Sequence, residues 1–364
     1  MIKESHKFKN SNSLKSNCTG RVILDMITDV KNLAQTSLVI LIVDDYTALI
    51  LSSFLTMTDL LNQGVFSVEK LSTKRQKFPN YHALYFISPS NESCEAVVKD
   101  FEDDTVPQYS RVHLFFSHRI MDITLEKLVT QNLVRRVKTC KELNLSFMVR
   151  DRNLYDLGLP GALKIFTVKN NNDSKSKILS TIMERLSTVC KVLKEFPYIQ
   201  YQKNSSFCLN LAEKVNAELS QFYEVKNYND KRGILLILDR TIDVTTPFLH
   251  DYTYESLVYD LFKTNDNELE FRDKKYKLDE KDGLWIKYKN RHIAETIDTL
   301  QNDFQLFMQS DVSKVRDSEN LNDLDEMGKA LQNMKGYKTK TSQFGMHLGL
   351  VEEINTVFLI KLER

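Results

Sequence analysis

The sequence predicts an α/β protein, with doubly wound parallel-sheet domains followed by a mainly helical region. Three observations support this class. From residue 21 to about 150, short apolar runs alternate with segments of helical periodicity, which is the pattern of parallel strands joined by crossover helices. Farther along, Ile234–Leu238 is an uninterrupted run of branched apolar residues, as expected for a strand that a parallel sheet buries on both faces. After residue 250 the chain changes to long polar segments with sparse apolar stripes, which predict helices that need a neighbour.

The first domain is predicted over residues 21–148, after a tail of residues 1–20 whose Lys-, Asn- and Ser-rich composition predicts disorder. Its strand candidates are short apolar runs, and the spacing between most of them leaves room for a crossover helix. The candidates are Leu38–Val43, Gly64–Leu71, His82–Ser88, Arg111–Ser117 and Leu145–Val149. One helix is also predicted from apolar residues at helical spacing. These residues are Leu125, Leu128, Val129, Leu133 and Val137.

A second α/β domain is predicted over residues 149–245. It begins with Leu163–Val168 as a strand, continues through an Asn-rich loop at residues 170–174, and closes with the strand at Ile234–Leu238. Two helices with regular apolar spacing are predicted in between, at residues 178–193 and 211–222. Residues 246–364 are predicted to start a third, mainly helical domain. An apolar stripe there contains Ile293, Ile297, Leu300, Phe304 and Phe307.

Composition disfavours several classes of function. The 364 residues include 50 basic and 49 acidic side chains, and the net charge of +1 favours neither nucleic acid nor an acidic membrane surface as a general partner. No apolar run is long enough to predict a membrane span, so action at membranes would be through partners. The five cysteines are scattered and never spaced as Cys-x-x-Cys, which indicates reduced thiols in the cytosol.

The motifs expected of an α/β enzyme do not occur in the sequence. The chain has ten glycines, with no Gly-x-Gly-x-x-Gly after a strand and no phosphate-binding loop. Its seven histidines do not fall at metal-ligand spacing, and no serine sits in a Gly-x-Ser-x-Gly elbow. A nucleotide-dependent enzyme is therefore disfavoured, and we predict no cofactor and no metal site.

The segment after the strand at residues 234–238 carries a cluster of charged residues. It contains Asp239, Arg240, Asp243, Pro247 and His250. Because ligands meet open α/β sheets at the carboxyl ends of strands, the cluster allows a hydrolase or transferase that would use Asp239, Asp243 and His250. The favoured interpretation is structural: Arg240 pairs with Asp239 or Asp243, and Pro247 stiffens the loop.

The same segment carries an extended motif, Leu238-Asp-Arg-x-x-Asp-x-x-x-Pro-x-x-His-Asp-x-Thr-Tyr254, followed by Tyr259-Asp-Leu261. It resembles the signature of the SM family (Sec-one/Munc-eighteen type), the syntaxin-binding proteins of vesicle fusion. Other pieces similar to the family follow in its order and look closest to the exocytic branch. They include Val43-Asp44, Met57-Thr-Asp59, Tyr85-Phe-Ile-Ser-Pro-Ser90, Asp282-Gly-Leu-Trp285 and His347-Leu-Gly-Leu350. The chain departs from the family at Val244, where proline is usual.

The resemblance implies a partner and a setting. SM proteins are arch-shaped, hold SNARE proteins and have no known catalytic activity. The resemblance therefore implies a cytoplasmic monomer that binds a syntaxin-type SNARE, and also the assembled SNARE complex, and that regulates SNARE assembly in vesicle docking and exocytosis. Membrane recruitment would be through syntaxin. Because the family continues well beyond the position of Arg364, the second domain is expected to be incomplete and the third truncated. The alternative that keeps no SNARE contact is a generic cytosolic scaffold.

Two syntaxin sites are implied by the resemblance. A cleft in the first domain would use charges suited to steering and registering a helical bundle. These are Asp44, Asp59, Glu69, Lys74 and Arg75. An outer pocket for the N-terminal peptide of syntaxin would use Ile120, Leu125, Cys140 and Glu142. An apolar slot with one carboxylate at its rim suits a peptide with an apolar anchor and an arginine.

Overall fold

The computed structural model describes residues 13–35, 38–102, 107–167, 172–224, 232–265, 268–280, 282–317 and 324–362. The chain divides into two compact units, Met1–Ile242 and Asp243–Arg364. The predicted boundary between residues 148 and 149 falls within the first unit and stays a prediction.

The described chain begins with helices. After Ser13, whose Oγ accepts the N–H of Ser16 at 3.2 Å, α1 (Leu14–Gly20) continues through a π-helical turn into α2 (Asp29–Ala34). Leu14, Cys18 and Val22, four residues apart, are buried in the main core. The predicted disordered tail is therefore wrong for residues 13–20, because a polar composition concealed one apolar helix face. Residues 1–12 lie outside the described residues.

A five-stranded parallel sheet organises the first unit, in the order β2-β1-β3-β4-β5. The strands are β1 (Val39–Val43), β2 (Val65–Lys70), β3 (Phe78–Ile87), β4 (Tyr109–Phe116) and β5 (Val137–Glu142). The helices after β1 and β3 are α3 (Asp45–Ser52), α4 (Met57–Asn62) and α5 (Asn91–Lys99). Along β1, Leu41 joins one core cluster and Ile40 and Ile42 join another, so the sheet is buried on both faces. The first four predicted strands are confirmed.

The prediction of one helix through residues 125–137 is wrong. The chain forms two short helices, α6 (Asp122–Glu126) and α7 (Gln131–Val134), and then enters β5 at the edge of the sheet. Val137 matches the helical spacing of the earlier apolar residues, but it pairs with Val112 of β4. Ladder hydrogen bonds and burial against the sheet therefore decided its conformation, overriding the local pattern.

The predicted strand Leu145–Val149 is displaced toward the C-terminus. Asn144, with a φ of 56°, turns the chain after β5. The strand that follows is β6 (Met148–Asp151), which pairs antiparallel with β7 (Leu154–Asp156) in a separate ribbon. Residues 145–147 are buried although they belong to no strand. Their burial explains why the sequence pattern predicted a strand there.

The rest of the first unit mixes confirmed and wrong predictions. The predicted strand at Leu163–Val168 is wrong, because residues 162–167 form α8 (Ala162–Thr167). Both predicted long helices are confirmed as α9 (Asn172–Leu193) and α10 (Ser206–Glu224). Of the Asn-rich loop, residues 170 and 171 lie outside the described residues, and the remainder belongs to α9. Two parallel strands, β8 (Tyr198–Tyr201) and β9 (Ile234–Ile237), complete this part.

The expectation that the strand at residues 234–238 is buried on both faces is wrong. Ile234 is 66% exposed and Leu236 is 56% exposed. Within the described residues, β9 pairs with β8 and with no other strand. A strand at a sheet edge buries less of its apolar surface than one with a neighbour on each side.

The second unit is mainly helical, as predicted. Its elements are α11 (Tyr254–Leu261), the antiparallel strands β10 (Thr264–Asn265), β11 (Glu268–Phe271) and β12 (Lys274–Lys277), and the helices α12 (Gly283–Tyr288), α13 (Ile293–Asp317) and α14 (Leu324–Leu362). The apolar stripe of α13 packs on α14, where Phe307 stacks on Tyr337 and Phe344 with ring centroids 5.4 and 5.2 Å away. Within the described ranges, no helix has both the length and the apolar character needed to cross a bilayer.

Candidate functional site

The residues predicted to form the outer pocket lie at the edge of the main sheet, near the carboxyl end of β4. Cys140 and Glu142 come from the edge strand β5, and Ile120 and Leu125 come from the loop after β4 and from α6. The Glu142 Oε1 accepts the backbone N–H of Ile120 at 3.1 Å, which joins the strand to the loop. Ile120 is partly buried against the core of that sheet face, whereas Leu125, Cys140 and Glu142 are exposed. The structure thus brings Ile120 and Glu142 together and leaves the other two side chains accessible.

Sequence reasoning missed part of the apolar surface around this pocket. Met121 is 71% exposed, Ile123 76% and Val129 68%, all within the segment that carries α6. The single predicted helix had placed Val129 on a buried stripe, so its exposure was hidden by the wrong periodicity. In the short helices and their flanking turns these side chains are exposed, as Leu125 is.

Among the cleft residues, Asp44 serves the fold. Its carboxylate caps α3 by accepting the N–H of Thr47 at 2.8 Å, and it accepts the N–H of Ser88 at 2.6 Å and the hydroxyl of Ser93 at 2.9 Å. Burial alone would raise the pKa of Asp44, but the hydrogen bonds from Ser88 and Thr47 outweigh it and hold the pKa below its usual value. The ionised carboxylate therefore ties the ends of β1 and β3 together.

Arg75 is likewise committed to an internal network. Its Nη2 donates to both carboxylate oxygens of Asp100 at 2.8 and 2.9 Å, and its side chain is only 6% exposed. Tyr85 donates to the same carboxylate at 2.8 Å. Burial opposes the charge of Arg75, but the neighbouring Asp100 carboxylate keeps the pKa of the guanidinium above its usual value.

The remaining cleft residues differ in accessibility. Asp59 forms a capping box with Thr56 at the start of α4, with the N–H of Thr56 donating to its carboxylate at 2.9 Å. Glu69 accepts the hydroxyl of Tyr109 at 3.2 Å and is partly exposed. Lys74 is fully available at the surface. Lys74 is therefore the charge of this set most open to a partner, since Glu69 also accepts the hydroxyl of Ser67 through its other oxygen.

At the end of β9, hydroxyl and backbone N–H donors replace the predicted ion pair. The Asp239 carboxylate accepts the hydroxyl of Ser205 at 3.1 Å and the N–H of Thr241 at 2.9 Å, so one of the two partners predicted for Arg240 is held by other donors. These donors lower the pKa of Asp239, with the backbone N–H of Thr241 first among them. A short polar side chain near a turn readily accepts hydrogen bonds from such local backbone and hydroxyl donors.

The other residues of this cluster belong to the second unit. Asp243 accepts the N–H groups of Thr245 and Thr246 at 3.0 and 3.1 Å. Pro247 lies in a single 3₁₀ turn at residues 246–248. His250 Nδ1 lies 3.0 Å from the Asp260 carboxylate on α11. The Asp243 carboxylate is thus held by its own turn, and His250 lies against a carboxylate of α11. Both contacts fit the structural interpretation of this segment.

A buried polar network in the second unit was not predicted as a cluster. His347 Nε2 lies 3.0 Å from Asp282 Oδ2, and His347 Nδ1 lies 2.7 Å from the Tyr254 hydroxyl. The other oxygen of Asp282 accepts the N–H groups of Leu284 and Trp285. The side chains of His347 and Asp282 are 1% and 5% exposed. Three separate motif pieces of the sequence therefore meet in the core of the second unit.

A metal centre is not formed by the described part of the chain, which contains no group of three or more His, Cys, Asp or Glu side chains placed to hold an ion. Its polar clusters instead cap helices, join strands and hold buried rings. The fold of the first unit is that of an α/β protein with exposed charged and apolar side chains.

The chain belongs to the Sec1 family, whose model matches residues 39–360. It is 27% identical over 360 residues to the protein transport protein sec1 of Dictyostelium discoideum, covering 95% of this chain and 60% of that protein. It is 26% identical to the vacuolar protein sorting-associated protein 45 of the same organism, covering 87% of this chain and 56% of that one. The chain thus spans about 60% of the length of these relatives.

Solved structures agree with this fold. The crystal structure of the Unc18–syntaxin 1 complex from Monosiga brevicollis matches with a TM-score of 0.82 and 25% identity, over 95% of this chain and 63% of that one. Sly1p, solved with an N-terminal peptide of Sed5p, matches with a TM-score of 0.76 and 23% identity, over 94% of this chain and 60% of that one. The α/β class with a mainly helical second part, predicted from sequence, is confirmed.

Proposed function

We propose that this chain binds a syntaxin-type SNARE and regulates SNARE assembly in vesicle docking and fusion, with the assembled SNARE complex as a further partner. Family membership supports the proposal, as does the similarity to an Unc18 protein solved with syntaxin 1 and to a protein named for protein transport. The observation that carries it is the hydrogen bond between Ile120 and Glu142, in a region where the loop after β4 and α6 also expose apolar side chains.

Glu142 gives this pocket its chemical preference. One carboxylate oxygen is used by the N–H of Ile120, and the other has no partner among the described residues. A guanidinium can pair with that oxygen in a charge-assisted hydrogen bond. Leu125, with Met121 and Ile123 close by in sequence, offers apolar surface for an anchor. A peptide that carries an arginine and an apolar side chain would satisfy both features, and such a peptide is expected at the N-terminus of a syntaxin.

The cleft is proposed as a second contact, in which Lys74 and Glu69 meet the charged surface of a helical bundle. Asp44, Asp59 and Arg75 would act there mainly by holding the face in shape, because their charged groups are bonded within the fold. Rim charges of this kind chiefly affect association rate and register. Leu49, 59% exposed, and the capping Thr56 contribute no positive charge to this face.

The remaining parts of the proposal concern setting and organisation. We propose a cytoplasmic monomer without catalytic activity, recruited to membranes by syntaxin, with domains at residues 21–148, 149–245 and 246–364. The burial of the Tyr254–His347–Asp282 network supports a structural role for the most enzyme-like cluster of the second unit.

Calorimetric titration of the whole chain with a synthetic syntaxin N-terminal peptide tests the pocket. Glu142→Gln removes the charge while keeping a side chain of similar shape, and Leu125→Glu places a charge on the apolar surface. Each should cost roughly 1 to 3 kcal/mol, or about ten- to hundred-fold in affinity. Glu92→Gln, an exposed charge removal on α5, is the matched control and should leave the affinity unchanged.

Two results would contradict this proposal. One is the failure of the folded wild-type chain to bind any syntaxin peptide. The other is an unchanged affinity in both pocket variants, which would move the contact to the cleft around Lys74. Melting temperatures of the variants show whether a loss of binding reflects a loss of folding.

A further inference from the structure

The second unit contains a basic groove that the SNARE-binding proposal does not use. It lies between the strand β12 and one face of α14, and its volume is about 470 Å³. Three lysines line it: Lys275 and Lys277 from the strand and Lys338 from the helix. Ser342 and Gln343, one turn after Lys338, add neutral hydrogen-bonding groups. The residues come from two separate elements, so their charges converge on one space.

Local carboxylates leave much of this positive charge uncompensated. Across the β11–β12 ladder, Glu270 is opposite Lys275, but its carboxylate is engaged by Lys263 at 2.6 Å. Among the described residues, Lys275 and Lys338 form no ion pair within 4.0 Å, and Lys275 interacts with Glu270 only at longer range than Lys263 does. Both side chains are exposed. Lysines without a close anion raise the local potential and attract an anionic ligand.

The charge of the third lysine, Lys277, is only weakly compensated by a neighbouring carboxylate. Lys277 Nζ lies 4.0 Å from the Asp279 carboxylate, at the outer limit of an ion pair, and its strand partner in the ladder is Glu268. A long contact at an exposed site contributes little attraction and is readily exchanged for a better anion.

The one carboxylate that lines the groove is directed into the core. Asp282 Oδ2 lies 3.0 Å from His347 Nε2, and Oδ1 accepts the N–H groups of Leu284 and Trp285 at 3.0 and 3.1 Å. These partners hold the pKa of Asp282 below its usual value against the opposing effect of burial. Because its oxygens are occupied by fixed donors, Asp282 is not available to the lysines.

We propose that this groove binds a compact polyphosphate of the kind carried by a phosphorylated inositol ring, either free or as a lipid headgroup. Ammonium groups are strong donors to phosphate oxygens, and the Ser342 hydroxyl and Gln343 amide can complete the hydrogen bonding. The volume lies within the range of small-ligand sites. An acidic peptide spreads its charges along an extended chain, whereas these lysines surround a single space, which favours a compact anion.

Titration of the whole chain with inositol trisphosphate, followed by calorimetry, tests the groove. Binding should weaken as salt is raised. Lys275→Glu and Lys338→Glu should each weaken it about tenfold or more, while Lys275→Arg and Lys338→Arg should retain it. Lys274→Glu is the matched control, because it makes the same charge change on the same strand outside the groove lining and should leave affinity nearly unchanged. Should a glutamate variant fail to fold, Lys275→Gln and Lys338→Gln replace it.

Flotation with vesicles separates the two sources of the ligand. Vesicles containing phosphatidylinositol bisphosphate are compared with phosphatidylserine vesicles of equal surface charge. Capture by the former alone, reversed by soluble inositol trisphosphate, supports a lipid headgroup, and binding of the soluble probe without capture supports a free polyphosphate. The proposal is overturned if neither probe binds, if Lys274→Glu weakens binding as much as the groove variants, or if a polyglutamate peptide binds more tightly than the trisphosphate.

Discussion

Two apolar runs of nearly the same composition have different surroundings in this molecule. Val39–Val43 reads Val-Ile-Leu-Ile-Val, and Ile234–Ile237 reads Ile-Leu-Leu-Ile. Both form parallel strands, and each is followed within two residues by an aspartate. Every residue of β1 is buried, whereas Ile234 and Leu236 of β9 are more than half exposed. An apolar run thus specifies a strand without specifying its burial.

The number of neighbouring strands explains the difference. β1 pairs in parallel with β2 on one side and β3 on the other, and core clusters cover both of its faces. Within the described residues, β9 has β8 as its one neighbour. Because the hydrophobic free energy depends on the area removed from water, the same side chain contributes more in β1 than in β9.

The largest expected effect comes from the same substitution in both strands. Leu41→Ala should lower the free energy of unfolding by roughly 2 to 5 kcal/mol, because it removes buried methyl groups and leaves a cavity. Leu236→Ala, at a side chain 56% exposed, should lower it by less than about 1 kcal/mol. Urea denaturation followed by circular dichroism measures both. Equal losses in the two variants would break the comparison, since they would mean that Leu236 is covered in solution.

Acid sensitivity should also reflect burial in the first sheet. His113 Nε2 lies 3.1 Å from His82 Nδ1, and His113 Nδ1 lies 3.0 Å from the Thr139 hydroxyl. Burial first, and then the neighbouring His82 and Lys138, lower the pKa of His113 from 6.5 to about 4. Between pH 6.5 and 4, His113 is protonated in the unfolded chain but stays neutral in the folded chain. Stability should therefore fall as pH drops from 6.5 toward 4, by at most about 3 kcal/mol.

Replacing this histidine isolates its share of the acid effect. His113→Gln removes the titrating group, so its unfolding free energy should decline less steeply than that of the wild type over the same pH window. Urea titrations at several pH values measure the slope. Parallel pH profiles for the two proteins would show that burial of His113 has no linkage to folding.

The smallest expected difference is between the two aspartates that follow the strands. Asp44→Ala should cost about 2 kcal/mol, because it leaves the N–H of Ser88 and the N-terminus of α3 without their acceptor. Asp239→Ala should cost about 1 kcal/mol or less, since one of its donors, Thr241, lies in an exposed turn where water can replace the carboxylate. Thermal unfolding of both variants gives the order, and a larger loss for Asp239→Ala would reverse the comparison.

Sequence patterns located the pocket residues only in part. Glu142 and Ile120 came from a family resemblance, and the structure joins them through one hydrogen bond. The exposed Met121, Ile123 and Val129 could not be anticipated, because an accidental helical spacing through Val137 suggested a single buried stripe. The basic groove was also invisible, since Lys275 and Lys338 are far apart in the chain and only the packing of β12 against α14 brings them together.

By itself, the sequence determined the class of the fold, the first four strands of the sheet, the two long helices of the first unit and the family. Local periodicity and short motifs encode these features directly. Tertiary structure alone decided that Val137 is in a strand, that the run at Ile234 is half exposed, and that Asp282, Tyr254 and His347 form one buried network. Those outcomes depend on which distant segments pair and pack, and the free energy of such contacts is absent from any local window of the chain.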